Sequence, residues 1–182
     1  SRELLQHTRQ LKVISTNLEK KIKAELSRLQ KDDAEKYETF WNAFGRNLKY
    51  GVVSDYGVHK DMLLDLLMFR SSHDDKLTSL AQYKERMAED QEFIYYAVGE
   101  DAWKLSKLPQ AERILDKGYE ILYLTEDVDE FCMQTIGEYE GKKLKSIDDE
   151  DALPESEEEK KAAEEKAEEA KDVLSFLKET LG

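Results

Sequence analysis

From Leu11 onward large apolar residues recur at intervals of three and four: Leu11, Ile14, Leu18, Ile22, Leu26 and Leu29. That interval gathers side chains on one face of a helix, so the spacing predicts a helix of about five turns. Lys31-Asp32-Asp33 breaks the pattern, and Tyr37, Phe40, Trp41, Phe44 and Leu48 restart it on a second helix with an aromatic face, expected to pack on the first. After a connection from Tyr50-Gly51 to Gly57, the run Met62 to Phe69 is too continuously apolar for a surface helix and is expected to form a buried one. A polar loop, Ser71 to Asp75, then leads into a short helix over 78–87 that opens on a Thr or Ser N-cap.

The period changes at Phe93-Ile94-Tyr95-Tyr96-Ala97-Val98, a β-rich run closed by Gly99. A second run covers 119–124 and a weaker third 143–147, with helical stretches between them at 100–116, broken at Pro109, and at 126–136. The order is βαβαβ, and right-handed crossovers make it a small parallel sheet. Beyond Leu153-Pro154, residues 155–171 are Ala, Glu and Lys with almost nothing large and apolar, before Val173, Leu174, Phe176, Leu177 and Leu181. That pattern suits a solvated helix with an amphipathic end. The expected fold class is α/β: a helical portion, a small three-layer α/β unit with a short parallel sheet, and a C-terminal charged helix. The corresponding segments are 1–90, 91–153 and 154–182, the last a connector.

Charge sharpens this picture. The chain is 38% charged with a net charge of −13, and much of the excess lies between Asp148 and Ala170, where twelve acids face Lys160, Lys161 and Lys166. Binding a polyanion requires a basic face that releases counterions, so neither nucleic acid nor an anionic membrane is an expected partner. A single cysteine, Cys132, precludes an internal disulfide, and no apolar run approaches the ~18 residues of a membrane helix, so the compartment reads as cytoplasmic. The chain starts at Ser1 without an initiator methionine or leader, which reads as a piece of a longer protein.

Candidate chemistry is sparse. His7, His59 and His73 lie in unrelated segments with no second ligand at helical spacing, so they read as ordinary surface or packing residues and no metal site is expected. Cys132 reads as a small buried hydrophobe. The strand-end turns Gly99-Glu100-Asp101 and Thr125-Glu126-Asp127 stand where an α/β unit binds ligands, but their carboxylates compete with an anionic ligand for helix N–H groups, and neither carries a glycine-rich phosphate motif. The residues alone show no complete active site.

Several ordered motifs remain. They include Ser1-Arg2-Glu3-Leu4-Leu5-Gln6, Phe40-Trp41-Asn42-Ala43-Phe44-Gly45-Arg46-Asn47-Leu48-Lys49-Tyr50-Gly51 and Leu77-Thr78-Ser79-Leu80 with Tyr83 and Arg86-Met87. Ile94-Tyr95-Tyr96, Gly99-Glu100, Tyr119 to Thr125, Asp129-Glu130 and Glu140-Gly141-Lys142 follow in order. By these motifs the chain resembles the ninety-kilodalton heat-shock protein family of chaperones, bacterial HtpG-type, over the later half of the middle domain. The resemblance implies a stress-response chaperone whose ATP and Mg bind an N-terminal domain and whose homodimer forms through a C-terminal domain, both outside these residues. It implies no cofactor and no enzymatic reaction in the chain itself. Arg2 would reach the ATP γ-phosphate with Gln6 as a polar neighbour, a role that suits a permanently charged, forked guanidinium. Glu130 and Phe131 would contact non-native client proteins, unless Phe131 packs into the sheet beside Cys132. The readings from other classes are a small α/β nucleotide-binding protein built on the 93–147 sheet and a scaffold or interaction module bound through its acidic end.

Overall fold

Asp33 ends one helix and begins the next. Its N–H donates to the Leu29 carbonyl at 2.9 Å while its carboxylate accepts from the Lys36 N–H at 3.2 Å, so one acid closes α1 (Arg9–Asp32) and caps α2 (Ala34–Val53). The computed structural model describes residues 9–153 apart from Asp55, His59 and Glu150. Arg2, Gln6, His7 and the expected charged helix over 154–182 lie outside the described residues. Among the described residues, those from Arg9 to Asp149 belong to one compact unit and 151–153 to a second.

α1 and α2 pack together, as the shared periodicity predicts, but only over the second half of α1. Leu26 and Leu29 are partly covered, whereas Leu11, Ile14, Leu18 and Ile22 face solvent. On α2 the inward face is Tyr37, Trp41, Gly45, Lys49 and Val52, and Gly45 is required there because a Cβ would meet the Trp41 ring at 2.6 Å.

The apolar run after α2 is not one buried helix. It divides into α3 (Lys60–Leu63), a 3₁₀ turn (Leu64–Leu66) and a strand, β1 (Met68–Ser71), the chain turning extended at Leu67 (φ −73°, ψ 139°). Continuous apolar residues suit a buried strand as well as a buried helix, and period alone does not separate them. β2 (Leu77–Ser79) follows in an antiparallel hairpin, and Ser79 then caps α4 (Leu80–Arg86) in a reciprocal box with Gln82, at the position the sequence predicts.

Three expected strands are present as β3 (Phe93–Val98), β4 (Ile121–Leu124) and β6 (Lys142–Ser146), with β3 parallel to both others. Between them run α5 (Ala102–Ser106), α6 (Pro109–Asp116) and α7 (Asp129–Ile136), with Pro109 at the first turn of α6 where its missing N–H costs nothing. The sheet is wider than the sequence suggests. β1 joins β4 antiparallel, β2 lies beyond β1, and β5 (Glu138–Tyr139) joins β6 through a turn in which Glu140 and Gly141 both have positive φ (44° and 83°). The order is β2-β1-β4-β3-β6-β5, and strands from both sides of position 90 therefore share one sheet.

All four residues of β4 are buried, so the sheet is covered on both faces at its centre. Leu122 and Leu124 join the cluster of Trp41, Phe69, Cys132, Met133 and Ile136 on the side of α2 and α7. Ile121 and Tyr123 project to the side of α5 and α6, which pack on β4 and bury Leu105, Ala111 and Ile114. None of the described helices is long and apolar enough to cross a membrane.

Candidate functional site

β4 delivers the chain at Leu124 into a turn of acids, and α7 starts from there. Val128, Cys132, Met133 and Ile136 point inward, which leaves Glu130, Phe131 and Gln134 outward. Phe131 is 59% exposed and Cys132 0%, so the two neighbours divide between solvent and core and the packing alternative for Phe131 is not what the fold adopts. Burial pushes the Cys132 thiol up to about 12, which keeps it protonated at neutral pH and unsuited to nucleophilic attack.

Two cations of α2 hold the acidic end of α7. Arg46 grips both oxygens of Asp127 at 2.8 and 2.9 Å on the surface. Lys49 is 4% exposed; its Nζ lies 2.5 Å from Asp129 Oδ1 and 3.0 Å from Glu126 Oε2, over the rings of Trp41 and Phe69. The Lys49–Asp129 contact is close but off the alignment of a hydrogen bond, whereas the Asp129 Oδ2 accepts squarely from the Glu126 N–H at 3.1 Å. Burial raises the Asp129 carboxyl above the usual carboxylate range, against the opposing pull of Lys49. At the other end, Lys60 donates to the carbonyls of Thr135 and Ile136 at 3.1 and 3.0 Å, so acid sits at the N-terminus of α7 and base at its C-terminus, each complementing the helix dipole.

The strand-end turns are thus occupied by structural work. Asp101 caps α5 by accepting from the Lys104 N–H at 3.0 Å, and Glu126 and Asp127 serve the α2 cations. A larger groove of about 500 Å³ runs between α2 and the β1–β2 hairpin, lined by Tyr37, Trp41, Met68 and Leu77, and stands apart from α7. Among the described residues no group of three or more His, Cys, Asp or Glu side chains could hold a metal ion.

The structure therefore places Glu130 and Phe131 together on an exposed face. Of the cations that fix that face, Arg46 and Lys49 enter the sequence reading only as members of a motif, with no role assigned, and Lys60 not at all. Lys49 had a signal: it falls at four-residue spacing with Tyr37, Trp41 and Gly45, and a lysine on the inward stripe of a helix implies a buried partner.

A family model described as Hsp90 protein matches residues 1–182. The chain belongs to the Hsp90 family. It is 54% identical over its whole length to the chaperone protein HtpG of Clostridium perfringens and 51% identical to that of Bacillus subtilis, and spans 29% of the length of each. The middle domain of a Plasmodium falciparum heat shock protein superposes with a TM-score of 0.71 at 30% identity, over 78% of this chain and 58% of that one. The mixed sheet and its flanking helices are accordingly the fold of an Hsp90 middle domain.

Proposed function

We propose that the chain is the later half of the middle domain of an HtpG-type, ATP-dependent molecular chaperone, and that it couples an N-terminal ATPase domain to the handling of non-native proteins. The observation that carries the client role is Phe131: a large aromatic side chain held in solvent on a helix whose other large apolar residues are buried. An exposed aromatic beside Glu130 offers apolar contact of low specificity, while the acid favours basic segments and discourages the face from closing on a copy of itself. The open stripe of α1 supports the same placement, because the chain spans 58% of the neighbouring middle domain and the remainder of such a domain is the natural cover for Leu11, Ile14, Leu18 and Ile22.

In this reading ATP and Mg belong to the N-terminal domain, a homodimer forms through the C-terminal domain, residues 154–182 connect towards it, and the protein works in the cytoplasm. The chain catalyses nothing alone. Arg2, with Gln6 beside it, acts in the full-length protein on charge that spreads over the γ-phosphate in the transition state.

The test of the client role is Phe131→Ala. Truncating an exposed ring is expected to change stability by less than about 1 kcal/mol while weakening capture of a permanently unfolded protein. A loss of the ~3–5 kcal/mol expected for a core phenylalanine, or unchanged capture, overturns it. For Arg2→Ala in the full-length chaperone, ATP turnover is expected to fall with ATP affinity little altered, and turnover within about twofold of wild type removes the assignment.

A further inference from the structure

Outside α1, the exposed large apolar side chains among the described residues include Tyr50 of α2, Tyr56 and Val58 in the loop after it, and Phe131 of α7, with Tyr50 46% and Tyr56 96% exposed. Their register follows from contacts at both ends. Arg46 of α2 bonds Asp127, and its guanidinium lies 5.7 Å from the centroid of the Tyr50 ring, one turn further along the same stripe. On α7, Phe131 is about half a turn beyond Asp129, which Lys49 of α2 holds, and Thr135 is one turn beyond Phe131. Gly57 then seats against Thr135 so closely that a Cβ would come 2.8 Å from Thr135 Cγ2. The two helices run in the same direction along one seam, with Lys49 against Asp129 at one end and Gly57 against Thr135 at the other, so Tyr50 and Phe131 both fall between those levels and Tyr56 adjoins the Gly57–Thr135 contact.

The charges along this seam are unequal. Glu126, Asp127, Asp129 and Glu130 face Arg46 and Lys49, which are bound to the first three, and Glu130 accepts from the neutral Gln134 amide at 3.3 Å. Lys60, the other cation at the far end, is bound to helix carbonyls. An aromatic row beside surplus carboxylate suits an extended segment whose apolar side chains lie on the rings and whose cations meet ring faces and acids.

We propose that Tyr50 and Tyr56 form with Phe131 one continuous strip along the α2–α7 seam, and that this strip selects apolar segments carrying lysine or arginine. The proposal rests on the client role given to Phe131 and adds the second wall, from α2 and the loop after it, together with the ligand class.

The experiment measures binding of two fluorescent peptides to the 182-residue chain by anisotropy: one alternating leucine with arginine, the other alternating leucine with glutamate. The arginine peptide is expected to bind at least about tenfold more tightly, and Tyr50→Ala to weaken it by about fivefold or more, as Phe131→Ala does. Tyr50→Phe should retain binding. Tyr50→Lys, which keeps a good helix former, should weaken the arginine peptide more than Tyr50→Ala and the glutamate peptide less. If Phe131→Ala weakens binding and neither Tyr50 variant does, the second wall is wrong and the client role stands. If no variant matters, both fail. Equal affinity for the two peptides overturns the ligand class.

Discussion

Replacing Lys49 with methionine is expected to cost about 3–5 kcal/mol of folding stability, read as a lowered urea midpoint, because it leaves Asp129 buried without its cation. Methionine fills most of the lysine stem, so the loss reports charge and not volume. The double variant Lys49→Met/Asp129→Leu is expected to recover most of it, since neutral apolar residues remove the desolvation of both ions. The deficit of the single variant has a predictable pH dependence. Burial already holds the Asp129 carboxyl above its unfolded value, and losing Lys49 raises it further. Between ~3.9 and that raised value the native state binds more protons than the unfolded state, so stability falls as pH rises and returns on acidification. A midpoint for Lys49→Met that matches wild type at neutral pH shows that the pair holds nothing.

Tyr83→Phe is the second large effect, at about 2–4 kcal/mol for the removal of one oxygen. The Tyr83 hydroxyl donates to the Glu120 carbonyl at 2.5 Å and accepts from the Tyr95 N–H at 3.0 Å and the Gln91 amide at 2.9 Å, in a side chain that is fully buried. It ties α4 to the start of both β3 and β4. Phenylalanine keeps the ring and removes the one oxygen that bonds the Tyr95 N–H, the Glu120 carbonyl and the Gln91 amide, and buried polar groups that lose a bond pay desolvation for it. Hydrogen exchange at the Tyr95 amide should accelerate together with the drop in stability. An unchanged exchange rate would mean that the amide has found another acceptor.

Much of this architecture is legible wherever a local device marks it. The interruption at Asp33, the Ser79/Gln82 box and Pro109 each fix a boundary within a residue or two, because capping and a missing N–H act over one turn. β3 and β4 show as dense runs of β-branched, aromatic and other apolar residues, and β6, Lys142-Lys143-Leu144-Lys145-Ser146, only weakly. β1, β2 and β5 do not: β1 lies in an apolar run that a buried helix fits equally well, and the edge strands β2 and β5, of three and two residues, are too short to show a period. The α1 stripe reads as core from its period, yet period says that a face is apolar and not what covers it. For Phe131 and Cys132 the sequence shows two adjacent candidates for one inward position. Only the register of α7 against β4 and α2 decides that the thiol enters and the ring stays out. Arg2 and Gln6 lie outside the described residues, and the role proposed for them rests on the motif alone.

The antiparallel pairing of β1 with β4 sets a timetable for synthesis. Ser71 meets Leu122, so the β1–β2 hairpin emerges from the ribosome about 50 residues before its inner edge has a partner. During that interval the edge presents free N–H and carbonyl groups beside Phe69, the geometry that recruits a strand from another chain. Release of a nascent chain that ends before Ile121 should therefore yield a product that associates through β1, whereas one that ends after Ser146 has every strand of the sheet in place.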